Sequence, residues 1–497
     1  MKRSAKPKAK ARNAQVVRQH GGRRKLGICV LLLGIACAIG LGWKLRSGRL
    51  EQRSVLLVTV DTLRADHLSH AGYGRLTSPN LDAFARLGTS FDWALSTCSY
   101  TLPSHASMMV GVYPSFHSVG LMNGYLPLKP QELTLAEICR AAGLRTLAVV
   151  SNFVLRRDCG LDQGFEVYDD VLPDRELVRG FAERKAVHAM DSALDRLKEL
   201  GDERFFMWVH LQDPHGPYTP DASTPEPKPT GEAPPRIERD LPVGADQSGF
   251  AAVPIYQAIK GERSFDAYRS RYDREILATD IQLGRLFEAL AKSGRLKDTL
   301  VVITADHGEA LGEDNFFFSH SHSVGLDQVH VPLIIAGPGV RAGARIPTAV
   351  SSMDTFATIL EFLDLPTPNS MHSRSLLSVL QDGAGVPEGA VFTASISQRG
   401  IAMGGEFLRT DRVSPTDKAF WSINPLTESY FAPLGTEGWS LAKPVAERVE
   451  PNPGLARRLA EFSVEADAAL RSQWPGVNQG FTDEAALRNL RALGYAK

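Results

Sequence analysis

The sequence predicts an α/β fold built on a mainly parallel sheet, and two observations carry that prediction. Four short runs, 54–60 (SVLLVTV), 204–211 (RFFMWVHL), 299–304 (TLVVIT) and 331–336 (VPLIIA), are continuously apolar and rich in β-branched and aromatic residues. Strands covered on both faces read this way. Between them lie segments of helical periodicity, and strands alternating with helices imply crossover connections.

Taken in order, the chain opens with a tail, 1–25, that carries ten basic residues and no acid. Residues 26–43 (LGICVLLLGIACAIGLGW) follow without a charge, then Lys44, Arg46 and Arg49. An uncharged run of this length predicts one membrane span. The basic excess before it predicts a cytoplasmic N-terminus, a single-pass protein of the inner (cytoplasmic) membrane, and a catalytic part in the periplasm or outside the cell. After the strand 54–60 come helical patterns at 79–87 and 133–142, a strand at 146–150 (TLAVV), helical periodicity over 175–200, and the strand 204–211. Residues 219–249 are rich in proline and charge and predict a surface insertion without a core of its own. A long helix over 265–293 leads into the strand 299–304, and 354–363 is a further helix. The expected catalytic domain is 54–380. Residues 385–497 form a smaller α+β addition that ends in a helix over 482–493.

Beyond Arg53 there are 42 basic and 55 acidic residues, a formal charge of −13. A surface so acidic excludes nucleic acid as the natural partner. No obligate protein partner is evident. Cys98, Cys139 and Cys159 permit one disulfide and require none.

The chemistry is concentrated where strands stop. Three apolar strands end at Asp61, at Asp213-Pro214-His215 and at Asp306-His307. In a parallel sheet all such ends share one edge, which is where ligands bind. Asp and His are ligands for a hard or borderline divalent cation, and Asp61, Asp306 and His307 with the Thr101 oxygen would make one site. Thr101 opens the stretch 101–114 (TLPSHASMMVGVYP), which reads as a helix start. Such a start favours an anion through its free N–H groups and dipole. Taken alone Thr101 is a helix cap; beside a cation it becomes a nucleophile. His320 and His322 lie in a polar loop that is either solvated or in contact with an anion or a second metal.

Val58 to His67 (VTVDTLRADH), Ser78-Pro79-Asn80-Leu81-Asp82, the 101–114 stretch, Asp213 to Tyr218 (DPHGPY), Asp306-His307-Gly308-Glu309 and Val331 to Ile334 (VPLI) together resemble the sulfatase family of the alkaline phosphatase superfamily. The resemblance covers about 54–380, and the ending at 490–495 (LRALGY) is similar to the tail of membrane-associated bacterial members. It implies an alkaline phosphatase-like fold and a divalent-metal-dependent hydrolase or transferase of sulfate or phosphate esters with a covalent intermediate.

The sequence departs from the family where the nucleophile sits. Sulfatases carry Cys-x-Pro-x-Arg, with the Cys converted to formylglycine; here the residues are Thr101-Leu102-Pro103-Ser104-His105, so no formylglycine is expected. Cys98 offers no substitute, because Tyr100 and Leu102 stand where Pro and Arg would be needed. His105 replaces the motif arginine, and Thr62 replaces the second aspartate of the metal pair. A threonine nucleophile resembles the superfamily's phosphodiesterases and phosphoethanolamine or glycerol-phosphate transferases. His307 in place of asparagine favours Mn²⁺ or Zn²⁺ over Ca²⁺ or Mg²⁺. The expectation is an enzyme acting through Thr101 on a small, glycan or lipid ester, phosphodiester ahead of sulfate ester. His215 and His322 would assist as catalytic or anion-binding groups, or would hold a second metal with Asp213 and His320. The alternative is a catalytically degenerate, membrane-anchored binder of sulfated or phosphorylated glycans or lipids.

Overall fold

Strand β1, Ser54–Val60, has every residue buried and runs down the middle of a nine-stranded sheet. The computed structural model describes residues 53–473 except 118, 120–125, 177–178, 233, 396–397, 412–435 and 442–445. The other strands of the sheet are β2 (Thr89–Leu95), β3 (Arg145–Val149), β4 (Val167–Asp169), β5 (Phe205–Leu211), β6 (Thr299–Ala305), β7 (His330–Ala336), β8 (Ala344–Ile346) and β9 (Val350–Ser351). Their order is β8-β2-β7-β6-β1-β5-β3-β4, with β9 also pairing to β2. All pairings are parallel except those of β7, which runs antiparallel to β6 and β2. The expectation of a mainly parallel sheet therefore holds.

Register places the chemistry. Val60 lies opposite both Leu211 and Ala305, so Asp61 and Asp306 emerge side by side, and Asp61 N–H donates to the Leu211 carbonyl at 2.9 Å. Because β7 is reversed, β2 ends at the same edge and delivers the chain to helix α1, Thr101–Val110. Sequence reading did not identify β2. Its run TSFDWAL carries a threonine, a serine and an aspartate that blur the apolar pattern, although only Asp92 is not buried.

Helices α2 (Ala186–Glu199), α3 (Phe265–Lys292) and α4 (Asp354–Phe362) pack on the sheet. The periodicity over 175–200 begins later than expected, because Asp174–Arg175 and Ala182–Glu183 pair as a short antiparallel hairpin. A second, antiparallel sheet follows in β10 (Val391–Ala394), β11 (Gln398–Met403), β12 (Glu406–Asp411), β13 (Thr436–Ser440) and β14 (Glu447–Val449), with helix α5, Pro453–Gln473, against it. The two sheets share apolar contacts through Trp93 and Leu95 of β2 with Val391, Ala402 and Phe407. Cys98, Cys139 and Cys159 are buried free thiols.

The tail 1–25, the apolar run 26–43 and the helix expected over 482–493 lie outside the described residues. Among the described residues no helix is long and apolar enough to cross a membrane. The 28-residue α3 has the length but carries charge throughout (FDAYRSRYDREILATDIQLGRLFEALAK). The expected anchoring through one N-terminal helix, the membrane as partner and the single-pass inner-membrane placement are corrected accordingly.

Candidate active site

Helix α1 and the segment leading into it from β2 are fixed to the end of β6 by two serines: the hydroxyls of Ser96, just past β2, and Ser104, in α1, both donate to the Asp306 carbonyl, Ser104 at 2.7 Å. This attachment sets Thr101 over the strand ends. Thr101 lies in the first turn of α1 with no capping bond from a side chain at the helix start, and Tyr100 is the residue before the helix. The hydroxyl is thus not used as a cap. Its Oγ1 is 3.2 Å from His307 Nε2.

His307 Nδ1 lies 2.9 Å from the Gly308 carbonyl, so Nδ1–H donates there and Nε2 keeps its lone pair. That Nε2 is 3.7 Å from Asp61 Oδ1 and 3.4 Å from Asp306 Oδ2. The other carboxylate oxygens have fixed donors. Asn152 Nδ2–H donates to Asp61 Oδ2 at 2.9 Å, and His307 N–H donates to Asp306 Oδ1 at 2.9 Å. Gly308 is required for close approach, since a Cβ there would overlap the Asp327 carbonyl. Thr62 adopts a left-handed conformation, φ 54°. Tyr272 of α3 steadies the Thr62 turn by donating its hydroxyl to the Thr62 carbonyl at 2.7 Å.

Asp61 Oδ1 and Asp306 Oδ2 are fully buried and have no hydrogen-bond donor. Two buried carboxylates facing each other without a counter-charge are costly. Burial works against ionisation of Asp61, but the imidazoles of His215, His210 and His307 outweigh it and hold its carboxyl well below the ordinary value. Burial and the charge of Asp61 push Asp306 the other way, well above its ordinary value. A divalent cation fits this donor set. Its three ligating atoms lie within 4.8 Å of one another, with the Thr101 oxygen adjoining through His307. His105, His210 and Asp306 form another such grouping. There, however, His105 already engages the Thr101 carbonyl through Nδ1 at 2.8 Å and the Thr59 hydroxyl through Nε2 at 3.0 Å.

A cleft of about 60 Å³ is lined by Thr101 together with Asn152, Glu183, His215 and His320. His215 Nδ1–H donates to the Gly216 carbonyl at 2.7 Å, which leaves Nε2 as the acceptor nitrogen. Burial lowers this imidazole to about 4, with Asp61 pulling the other way, so the ring is neutral at pH 7. The His320 ring lies 4.4 Å from the His307 ring, tilted by 36°, and its Nδ1 is 3.4 Å from Glu309 Oε2. Burial pushes the Glu309 carboxyl up to about 8.

Two candidates stand elsewhere. His322 accepts from Gln328 at 2.9 Å and stacks on Phe316 with ring centroids 3.6 Å apart. Asp213 Oδ2 accepts the Ala186 N–H at the start of α2 at 2.6 Å. Neither grouping of ligating atoms includes Asp213, His215, His320 or His322. Sequence reading missed Asn152 and His210. Asn152 follows the end of β3 by a few residues, the same signal that singled out Asp61. His210 lies inside β5 and is wholly buried, and nothing in a strand interior distinguishes it from core.

A sequence profile of the sulfatase family matches residues 53–365. The chain belongs to the sulfatase family. The multifunctional alkaline phosphatase superfamily protein PehA of Trinickia caryophylli is 27% identical over 405 residues, 67% of this chain and 78% of that protein. Human arylsulfatase K is 25% identical over 390 residues, covering 70% and 71% of the two chains. The solved structure of a phosphonate monoester hydrolase from Silicibacter pomeroyi superposes with a TM-score of 0.59 at 20% identity, covering 85% of this chain and 96% of that one. The sulfatase-family member described here thus has the alkaline phosphatase-like fold, a mixed, mostly parallel sheet flanked by helices. It is a hydrolase of that superfamily, and enzymes of the family use a divalent metal.

Proposed function

We propose that this sulfatase-family hydrolase cleaves phosphate esters, phosphodiesters ahead of sulfate esters, through a covalent intermediate on Thr101. The observation that supports it is the convergence of Thr101 Oγ1 with His307 Nε2 beside two unpartnered carboxylate oxygens, Asp61 Oδ1 and Asp306 Oδ2. Asp61, Asp306 and His307 would hold the cation, and their mixed oxygen and nitrogen donors suit Mn²⁺ or Zn²⁺. When bound, the cation supplies positive charge that favours ionised Thr101 and neutralises the ester anion.

The chain's own groups do the rest. The first turn of α1 presents free backbone N–H groups to the anion. Thr101 Oγ1 forms a bond to phosphorus as the bond to one alcohol oxygen breaks. The hydroxyl proton leaves Thr101, and the departing alcohol takes one up. We assign that proton transfer to His215, whose Nδ1–H is committed to the Gly216 carbonyl and whose Nε2 is left as the acceptor. Water then attacks the threonine phosphoester, its oxygen stays with phosphate, and the hydroxyl of Thr101 is restored. An acceptor alcohol in place of water would make the same intermediate a transfer reaction.

The test is a parallel screen of phosphomonoesters, phosphodiesters, phosphonate monoesters and aryl sulfates on chelator-treated protein with Mn²⁺, Zn²⁺ or Ca²⁺ restored separately. Turnover of aryl phosphodiesters with Mn²⁺ or Zn²⁺ and its loss in Thr101→Ala are expected. Aryl sulfate turned over faster than every phosphorus ester would overturn the reading.

A further inference from the structure

Among the described residues that line the cleft with Thr101, Gln212 alone has a buried side-chain polar atom without a hydrogen-bond partner, its Oε1. Its Nε2 donates to no described residue either, and Gln212 is only 7% exposed. The strand ends place this amide beside the reacting centre. Strand β5 lies between β1 and β3, with Leu211 opposite Val60 and Val209 opposite Val149. Carried past the end of β5, the same register sets Gln212 between Asp61 and Asn152. Its backbone is held there, the Gln212 carbonyl accepting the His215 N–H at 2.9 Å.

Asn152, the neighbouring amide of the cleft, is held at both ends by the protein. Its Nδ2–H donates to Asp61 Oδ2 at 2.9 Å and its Oδ1 accepts the Val154 N–H at 3.1 Å. Gln212 has no such role. A buried amide without partners is destabilising, and methionine would fill the same space without that cost. The cost is offset once a bound group meets the amide. In the proposed reaction the group that enters the cleft is an ester anion, whose oxygens can only accept. It therefore takes the N–H end of the amide. A neutral donor stabilises the anion without adding a positive charge that would compete for Asp61 and Asp306.

We propose that Gln212 is a further catalytic residue of this cleft, its Nε2–H donating to a non-bridging oxygen of the ester anion as Thr101 attacks. The assignment rests on the proposed ester chemistry at Thr101. A donor fixed at a strand end is oriented before the reaction starts, so it meets the charge that redistributes over the phosphoryl oxygens without reorganising. No proton is transferred, and Gln212 keeps both amide hydrogens.

Protein loaded with Mn²⁺ or Zn²⁺ is assayed with bis(p-nitrophenyl) phosphate, and its binding of inorganic phosphate is measured by calorimetry. Gln212→Met, which keeps length and shape, should lower kcat about 10²-fold and weaken phosphate about ten-fold. Because the amide bonds nothing within the fold, the melting midpoint of Gln212→Met should equal or exceed that of the parent, and it should still rise on adding Mn²⁺. Gln212→Glu, which sets a carboxylate against the anion, should lose more in both measurements. Parent-like turnover in Gln212→Met overturns the proposal, as does a lowered midpoint, which would give the amide a structural role. A Gln212→Glu protein as active as the parent overturns it too, since the amide would then accept and not donate. Weakened phosphate binding in Gln212→Met, with turnover unaffected by Thr101→Val, would instead overturn the Thr101 reading and leave Gln212 standing as a donor to the anion.

Discussion

The hydroxyl of Thr101 lies 3.2 Å from Nε2 of His307, the one ring nitrogen that His307 does not commit to the Gly308 carbonyl. Nε2 is therefore the acceptor and the Thr101 hydroxyl donates to it, beside two carboxylate oxygens that have no donor. Because the Thr101 hydroxyl caps nothing, its removal should leave stability intact while abolishing chemistry. Thr101→Val, which keeps the shape, should lower kcat/KM by roughly 10³-fold or more, with a thermal midpoint within about 1 °C of the parent. Quenching the parent during turnover should reveal a phosphoryl adduct by intact mass, localised to the peptide containing Thr101; Thr101→Val should show none.

The unpartnered oxygens Asp61 Oδ1 and Asp306 Oδ2 predict linkage between cation binding and folding. A cation present at a hundred times its dissociation constant should stabilise the protein by about 2.7 kcal/mol. Chelation should remove that increment, and Asp306→Asn should remove the response to added ion without unfolding the chain. Differential scanning fluorimetry across a Mn²⁺ and a Zn²⁺ titration measures this. A midpoint that ignores both ions and chelator would argue against a cation at these residues.

The extent to which the sequence disclosed this site follows from what strand ends look like. Asp61 and Asp306-His307 terminate runs that are wholly apolar, so the change in polarity marks both the strand and its active edge. Asp213 shows the limit of the same signal. It also follows a buried strand, but its carboxylate serves the Ala186 N–H of α2, a long-range partner that spacing cannot reveal. His210 and Asn152 illustrate the reverse. A histidine within β5 reads as core, and Asn152 reads as loop until the 2.9 Å bond to Asp61 is seen. The sheet order was equally hidden, because the reversal of β7 that brings β2 and α1 to the active edge is a property of pairing and not of any one strand.

The start of α4 depends on a buried ion pair. Asp354 is 1% exposed. It accepts from Ser351 N–H at 3.0 Å, from Arg374 N–H at 2.8 Å and from the Arg374 guanidinium at 2.9 Å. Removing one partner leaves the other's charge and two backbone donors uncompensated. Asp354→Ala should therefore cost about 3–5 kcal/mol in urea unfolding. The double substitution with Arg374→Ala should cost less than the sum of the two singles, since the second removes the stranded charge. Additive losses would mean that the pair is not coupled.

His117 should make the protein acid-sensitive in a defined window. It is wholly buried, its Nδ1 accepts from Val119 N–H at 3.2 Å, and its Nε2 lies 3.1 Å from the Ser107 hydroxyl. A second ring proton would point at an N–H. Burial, with the Pro103 carbonyl pulling partly back, lowers the imidazole to about 3. An unfolded histidine titrates near 6.5, so between these values the unfolded chain binds the proton and the folded one does not. Stability from this group is complete above about pH 6.5 and falls as the pH drops towards 3. At pH 5 the loss is about 2 kcal/mol. His215 and His322 are also lowered by burial and titrate with the same sign, so the parent protein alone does not isolate His117. His117→Gln keeps an acceptor for Val119 and a donor for Ser107 but cannot ionise. Urea unfolding of both proteins at pH 7.5 and pH 5.0 should show the difference between them moving by about 2 kcal/mol in favour of His117→Gln at the lower pH. A movement of less than about 0.5 kcal/mol would mean that His117 accepts its proton within the fold.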